Sequence, residues 1–500
     1  MDFLTSSLLF LLFAIVLFQA LNSFKNGRKL SESKLPPGPR QLPIIGNLLD
    51  LGDKPHRTLA KLARVHGPVM SLQLGSLYTV VVSSEAMAKE VLQKQDLVFC
   101  NRTVVEAVRA CQFSEIGLAF IPVSPLWRTL RKVCVIHLFS TQKLDANQYL
   151  RREKIHELIR NVRKSSLEGE AIDVGQAAFE ATLNLLSNTI LSMDLVDPNS
   201  SLAQDFRTTV CNISHEIGTP NLADYFPFLR KIDPQGIRRR MTVHLEKLLT
   251  LFGNMFDERL ELRKSKNFTA SNDVLDTLID IIEGGIEKLD KIEITYLLLV
   301  LFAAGTDTTS NTIEWAMTEL LRNPQVLLKA KKEMEQAIGK GNPIEESNIS
   351  RLPYLQAVIK ETFRMHPTAP LLVPRRAGSD ADLCGFKVPE GSQVLVNAWA
   401  IGRDPSIWVN PDSFMPERFL GSNIDVKGTD FGLIPFGAGR RICPGLPLAN
   451  RMLHLILGCL IKCFDWKLED EISPDQIDME ENFGLTVKKI KPLRAIPIVV

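Results

Sequence analysis

The sequence predicts a mainly α-helical fold with a smaller β portion (α+β), preceded by one apolar N-terminal segment. Three observations carry this. From about Pro125 to His366 apolar residues recur at helical spacing, interrupted near Gly218-Thr219-Pro220, Asp233-Pro234 and the polar stretch from Lys264 to Asn272. Short strand-like pieces flank that block, separated by Gly and Pro. Although 500 residues exceed the usual single core, residues 41–500 show no repeat, low-complexity tract or composition shift that would divide them.

The elements follow in chain order. Residues 1–24 read as a membrane anchor: Phe3 to Phe24 holds no charged residue, and as a helix it reaches about 33 Å against a hydrocarbon core of about 30 Å. A cleaved leader would need a basic start and a small-residue cleavage site, but only Asp2 precedes the run, and Leu21 and Phe24 close it. A buried core helix would show a polar face. Lys25, Arg28, Lys29 and Lys34 then place the remainder in the cytosol, with the endoplasmic reticulum as the expected membrane. Residues 25–40 form a basic, proline-rich linker whose Leu35-Pro36-Pro37-Gly38-Pro39 stretch is stiff, because successive prolines fix φ. A β-hairpin is predicted from Val69 to Leu74 and from Leu77 to Val82 around Gly75-Ser76. After the helical block, strands are predicted at Leu371 to Arg375, Gln393 to Asn397 and Leu485 to Val500.

A net charge of +2 with 23% charged residues gives no electrostatic case for nucleic acid. The eight cysteines are scattered without a CxxC pair, which predicts reduced thiols in a cytosolic domain.

Four constellations carry chemistry. Phe436-Gly437-Ala438-Gly439-Arg440-Arg441-Ile442-Cys443-Pro444-Gly445 sets a lone Cys in a Gly-rich loop before an apolar helix around Leu446 to Leu460. A thiolate is favoured at a helix N-terminus, and glycines let backbone N–H groups approach the sulfur. No other Cys or His lies close enough in sequence to suggest a four-ligand zinc site. Leu301 to Thr309 places Ala304-Gly305-Thr306-Asp307-Thr308 inside an apolar helix, where small residues admit a flat group and an acid beside an alcohol can relay protons. Glu361 and Arg364 are an i, i+3 pair on one helix, and Trp127 and Arg131 an i, i+4 pair suited to a carboxylate. His137 and His366 read as structural.

The Cys443 run matches the haem-binding signature F-x-x-G-x-R-x-C-x-G of the cytochrome P450 superfamily at every fixed position, a coincidence expected about once in ten thousand chains of this length. The other constellations resemble that superfamily's A/G-G-x-D/E-T-T/S, E-x-x-R and W-x-x-x-R motifs. The resemblance implies haem (heme b, iron protoporphyrin IX) with Cys443 as the metal ligand in a loop that includes Phe436 and Gly437. It implies that Thr308, with Asp307 as its acidic partner, protonates reduced oxygen. Trp127, Arg131, Arg375 and Arg441 would hold the propionates. Glu361, Arg364 and Arg418, the last from Pro416-Glu417-Arg418-Phe419, would lock the haem-side core.

Met87 to Leu92, Ile232 to Arg238 and Val394 to Asp404 are most similar to the geraniol hydroxylase group of plant endoplasmic-reticulum enzymes. By that analogy the substrate wall comes from the Asn101 to Pro122 loop, the start of the Thr308 helix, Thr368 to Val373 and Gly484 to Thr486. Leu301, Ala304, Ala369, Leu371 and Leu485 would suit a monoterpenol or another small terpenoid, while such pockets also admit phenols, coumarins and tyrosine-type substrates. Electrons would come from NADPH through a separate membrane-bound flavoprotein, the NADPH–cytochrome P450 reductase, since no G-x-G-x-x-G unit follows a strand. A basic face near Arg128, Arg131 and Lys132 is the expected docking surface. Two other readings, a peroxide isomerase working without O2 and a non-catalytic haem sensor or membrane scaffold, leave the Asp307-Thr308 pair without a use.

Overall fold

The computed structural model describes residues 35–195, 201–265, 270–271, 273–285 and 287–500. The anchor expected at residues 1–24 and the linker as far as Lys34 lie outside the described residues. The helices that position the site are α1 (Pro55–His66), α2 (Pro125–Lys132), α3 (Val174–Leu191), α4 (Ser201–Gly218), α5 (Ile237–Arg263), α6 (Lys291–Arg322), α7 (Pro353–Met365) and α8 (Leu446–Cys463). Helices α1, α2 and α7 each open on a proline, whose missing N–H is no loss in a first turn.

Helix α6 organises the molecule. Its 32 residues give a length of about 48 Å. Its start is fixed by a reciprocal cap: the Asp290 carboxylate accepts the Glu293 N–H at 2.8 Å, and Glu293 accepts the Asp290 N–H at 2.9 Å. Pro324, two residues past its end, begins the next helix. Two apolar clusters share α6. Leu297, Leu298, Leu301 and Phe302 pack with Phe113, Phe206, Leu245 and Phe252, and Phe302 stacks on Phe252 at 4.9 Å between ring centres. Ile313, Ala316, Met317 and Leu320 pack instead with α7 and α8. The polar patch of the helix lies between the two.

The predicted hairpin forms. Strand β1 (Val69–Leu74) pairs antiparallel with β2 (Leu77–Val82), from Val69 opposite Val82 to Leu74 opposite Leu77, and Gly75 supplies the positive φ (+57°) of the turn. With β3 (Asn101–Arg102), β4 (Arg375–Arg376) and β5 (Gln393–Val396) it makes a five-stranded sheet of order β1-β2-β5-β4-β3. Residues 36–40 dock on this sheet, with the Ser71 N–H and hydroxyl donating to the carbonyls of Pro37 and Pro36 at 2.8 and 2.7 Å.

Two strand expectations are corrected. The strand predicted from Leu371 to Arg375 is reduced to Arg375–Arg376, because Leu372 adopts a left-handed φ of +51° and Pro374 lacks a ladder donor. The predicted Leu485 to Val500 strand is divided into Lys488–Lys489 and Arg494–Val499, with Pro492 between them.

Candidate active site

The loop before α8 holds Cys443. Gly437 and Gly439 both have positive φ (+69° and +68°). A Cβ on Gly439 would lie 1.8 Å from the Leu92 carbonyl oxygen, so only glycine fits there. The Cys443 N–H donates to the Phe436 carbonyl at 3.0 Å, and the Phe436 ring packs edge-on to Phe363 of α7 at 5.2 Å. Burial pushes the Cys443 thiol up, and the N–H groups of Gly445 and Leu446 together with the Arg131 guanidinium oppose that shift. Both amides stand at the start of α8, where backbone donors are free.

Above the loop four guanidiniums converge. Strand register sets Arg102 directly opposite Arg375. Both feel the positive charge of Arg441, which in turn feels that of Arg131. Burial first, and mutual repulsion next, hold Arg375 down to about 10. Arg441 also falls to about 10, again through burial, with Arg131 contributing to the drop. Among the described residues none of the four pairs with a carboxylate. Arg441 lies over the Trp127 ring at 5.2 Å, and its Nε is buried without a partner. Like charges gathered this way call for an anion. A flat iron porphyrin fits the residues present: one sulfur for the iron, and guanidiniums with an unfilled donor for two propionates. Arg102 was missed in the sequence, where nothing distinguishes it from any arginine in an extended segment.

The polar patch of α6 is less uniform than its sequence suggests. The hydroxyls of Thr306, Thr308, Thr309 and Thr312 each donate to the carbonyl four residues back, at 2.8 to 2.9 Å. Ala304 and Thr308, one turn apart, share the face that neither cluster covers. Gly305 does not share it, contrary to expectation. A Cβ there would lie 2.8 Å from Leu186 Cδ1, so its smallness serves the packing of α6 on α3. The Asp307 carboxylate points away from Thr308, accepting from the Thr486 hydroxyl at 2.5 Å and pairing with Lys488 at 2.6 Å. Leu301 is buried on the Phe302 side, and Val373 packs against the same cluster. Leu371 packs instead with Met70, Leu72 and Leu395.

Glu361 and Arg364 form the predicted pair, two-pronged at 2.7 Å and wholly buried. Arg364 also donates to the carbonyls of Gly402 and Pro411, both at 2.6 Å, while Arg418 reaches Glu361 at 3.1 Å. Each charge therefore has partners, as deep burial requires. Among the expected docking residues Arg128 is the surface cation without an ion-pair partner among the described residues: Lys132 pairs with Glu287 at 2.5 Å, and Arg131 faces inward.

A cysteine in a glycine loop, guanidiniums without a carboxylate and a helix with an alcohol on its open face are the groups a haem-thiolate monooxygenase would use. The cytochrome P450 family model matches residues 36–494, and the chain belongs to that family, with haem as its cofactor and a separate reductase as its electron source. Among plant relatives it is 55% identical to the geraniol 8-hydroxylase of Swertia mussotii over 99% of both chains. It is 54% identical to that of Catharanthus roseus, again over 99% of both. It is also 54% identical to the drimenol monooxygenase of Persicaria hydropiper, over 94% of this chain and 93% of the relative.

Proposed function

We propose that the chain hydroxylates a small terpenoid, a monoterpenol foremost, using O2 and electrons passed from NADPH by the reductase. Bound haem supplies O2 activation at an iron whose sulfur ligand donates electron density. Cys443 is that ligand, with the amides of Gly445 and Leu446 and the Arg131 guanidinium partly offsetting the cost of burying its thiolate. Trp127, Arg131, Arg375 and Arg441, joined by Arg102, hold the propionates, while Phe436 and Gly437 shape the loop. Thr308 presents its Oγ1 for proton transfer, with Asp307 as the nearest acid along α6. Leu301, Ala304, Ala369 and Leu485, with Val373, form an apolar wall that excludes water, and Leu371 backs it from the sheet side. Glu361, Arg364 and Arg418 fix the core beneath the Cys443 loop. Residues 1–24 anchor the enzyme in the endoplasmic reticulum, and 25–40 link the anchor to the catalytic domain of residues 41–500.

The observation that carries the substrate class is the full-length similarity to two hydroxylases of one monoterpenol and to a drimenol monooxygenase. The test is a microsomal turnover screen with reductase across monoterpenols, drimane and diterpene alcohols, coumarins and tyrosine, with product identification. Monoterpenol hydroxylation is expected to dominate. Exclusive turnover of coumarins or phenols would overturn the terpenoid assignment.

A further inference from the structure

The turn that carries Leu485 joins Glu481–Asn482 to Lys488–Lys489, an antiparallel pair, and is held from three sides. Against α4, the Leu485 N–H donates to the Ser214 carbonyl at 3.4 Å, and a Cβ on Gly218 would lie 2.2 Å from Leu485 N. Toward the segment before Ala369, the Val487 N–H donates to the Thr368 carbonyl at 2.8 Å. Toward α6, the Thr486 hydroxyl donates to Asp307 at 2.5 Å and has the Ser214 hydroxyl 3.0 Å away on its other side. Lys488 grips the second oxygen of Asp307 at 2.6 Å, and its ammonium also meets the Cys211 sulfur at 3.3 Å.

Asp307, Thr486 and Ser214 are buried, and a buried carboxylate with two such partners is not free to move alone. Successive residues of a helix point about 100° apart, so a carboxylate held by this turn is aimed away from the Thr308 hydroxyl, which bonds the Ala304 carbonyl at 2.8 Å.

We propose that Thr486 and Lys488 are positioning residues that couple the Leu485 wall to the Asp307 carboxylate, so that the shape of the molecule lying against Leu485 sets where the acid stands relative to Thr308. This rests on the hydroxylase reading above. A well-fitting substrate shifts the turn and releases Asp307 toward Thr308. A poorly fitting one leaves the acid pinned, and electrons that do not enter product leave as hydrogen peroxide. Pocket shape and electron use are then properties of one linkage.

The test uses full-length holoenzyme with reductase. Thr486→Val removes the hydroxyl while keeping its volume, Thr486→Ser restores it, and Lys488→Met removes the ammonium. Peptide-resolved alkylation of Cys211 reports on the linkage without any substrate. Thr486→Val and Lys488→Met, which unpin the acid, are expected to change the product ratio several-fold and to lower the share of NADPH electrons that a poorly fitting substrate diverts to peroxide, with Thr486→Ser close to wild type. Cys211 alkylation is expected to fall several-fold in Lys488→Met, because the cation that donates to the sulfur is lost. A Thr486→Val enzyme with unchanged product ratio and peroxide share would overturn the proposal, as would unchanged Cys211 alkylation in Lys488→Met. A wild type that turns over no terpenoid would defeat the substrate reading alone, and the alkylation experiment would still test the Lys488 contact on which the linkage depends.

Discussion

Arg102 and Arg375 stand opposite each other across two paired strands, two guanidiniums in register with no carboxylate bound to either among the described residues. Like charges in that position oppose sheet pairing, so the arrangement is understandable only if an anion joins them. Arg375→Ala and Arg102→Ala are expected to speed haem loss to apomyoglobin by about tenfold or more. Arg375→Lys, which keeps the charge without the fork, should fall between. Wild-type haem retention in both alanine variants would remove them from the propionate set.

Glu361→Gln leaves Arg364 and Arg418 facing a neutral amide in a site that water does not reach. Breaking one side of such a pair is expected to cost about 3–5 kcal/mol. Urea unfolding of the purified protein measures this, and a midpoint within error of wild type would show the pair to be dispensable. Arg364→Lys should fare little better, because one ammonium cannot replace donors that reach Glu361, Gly402 and Pro411 at once.

Gly439→Ala and Gly305→Ala separate two uses of glycine. At Gly439 the new carbon meets a backbone oxygen at 1.8 Å in a left-handed conformation, so the Cys443 loop should fail to form and the carbon monoxide complex should lose its red-shifted thiolate band. At Gly305 it meets the tip of Leu186 at 2.8 Å, which can turn aside. There the spectrum should survive, with a stability loss of about 1–3 kcal/mol.

Asp224 accepts the Glu106 N–H at 2.6 Å. Burial, with some help from the Glu106 carboxylate, raises it to about 6. Folding therefore favours the protonated form: this contribution to stability is complete below the unfolded value of about 4 and is lost as pH rises through 6. Asp224→Asn should consequently raise the melting temperature more at pH 7.5 than at pH 5. An equal gain at both would show that the carboxyl is not titrating in that window.

Elements governed by local chemistry were legible. Alternating apolar residues around Gly75-Ser76 specify the hairpin and its register, and the i, i+3 spacing of Glu361 and Arg364 puts them on one helix face before any fold exists. Contacts set by distant parts of the chain were not. The pairing of Arg102 with Arg375 depends on the register of strands two residues long. The partners of Asp307 lie in a C-terminal turn that carries no motif. Gly305 sits in the motif that admits a flat group, yet its neighbour is Leu186. Leu372 bends a segment whose composition reads as strand, which separates Leu371 from Val373.

Helix α6 belongs to two apolar clusters, one on each side of its polar middle, and α8 joins both. Leu297 and Leu301 share their cluster with Leu448 and Met452, at the start of the helix that follows Cys443, so a change of volume on that flank is felt beneath the sulfur loop. Libraries on that flank are best restricted to exchanges that conserve volume, which leave the start of α8 where it is.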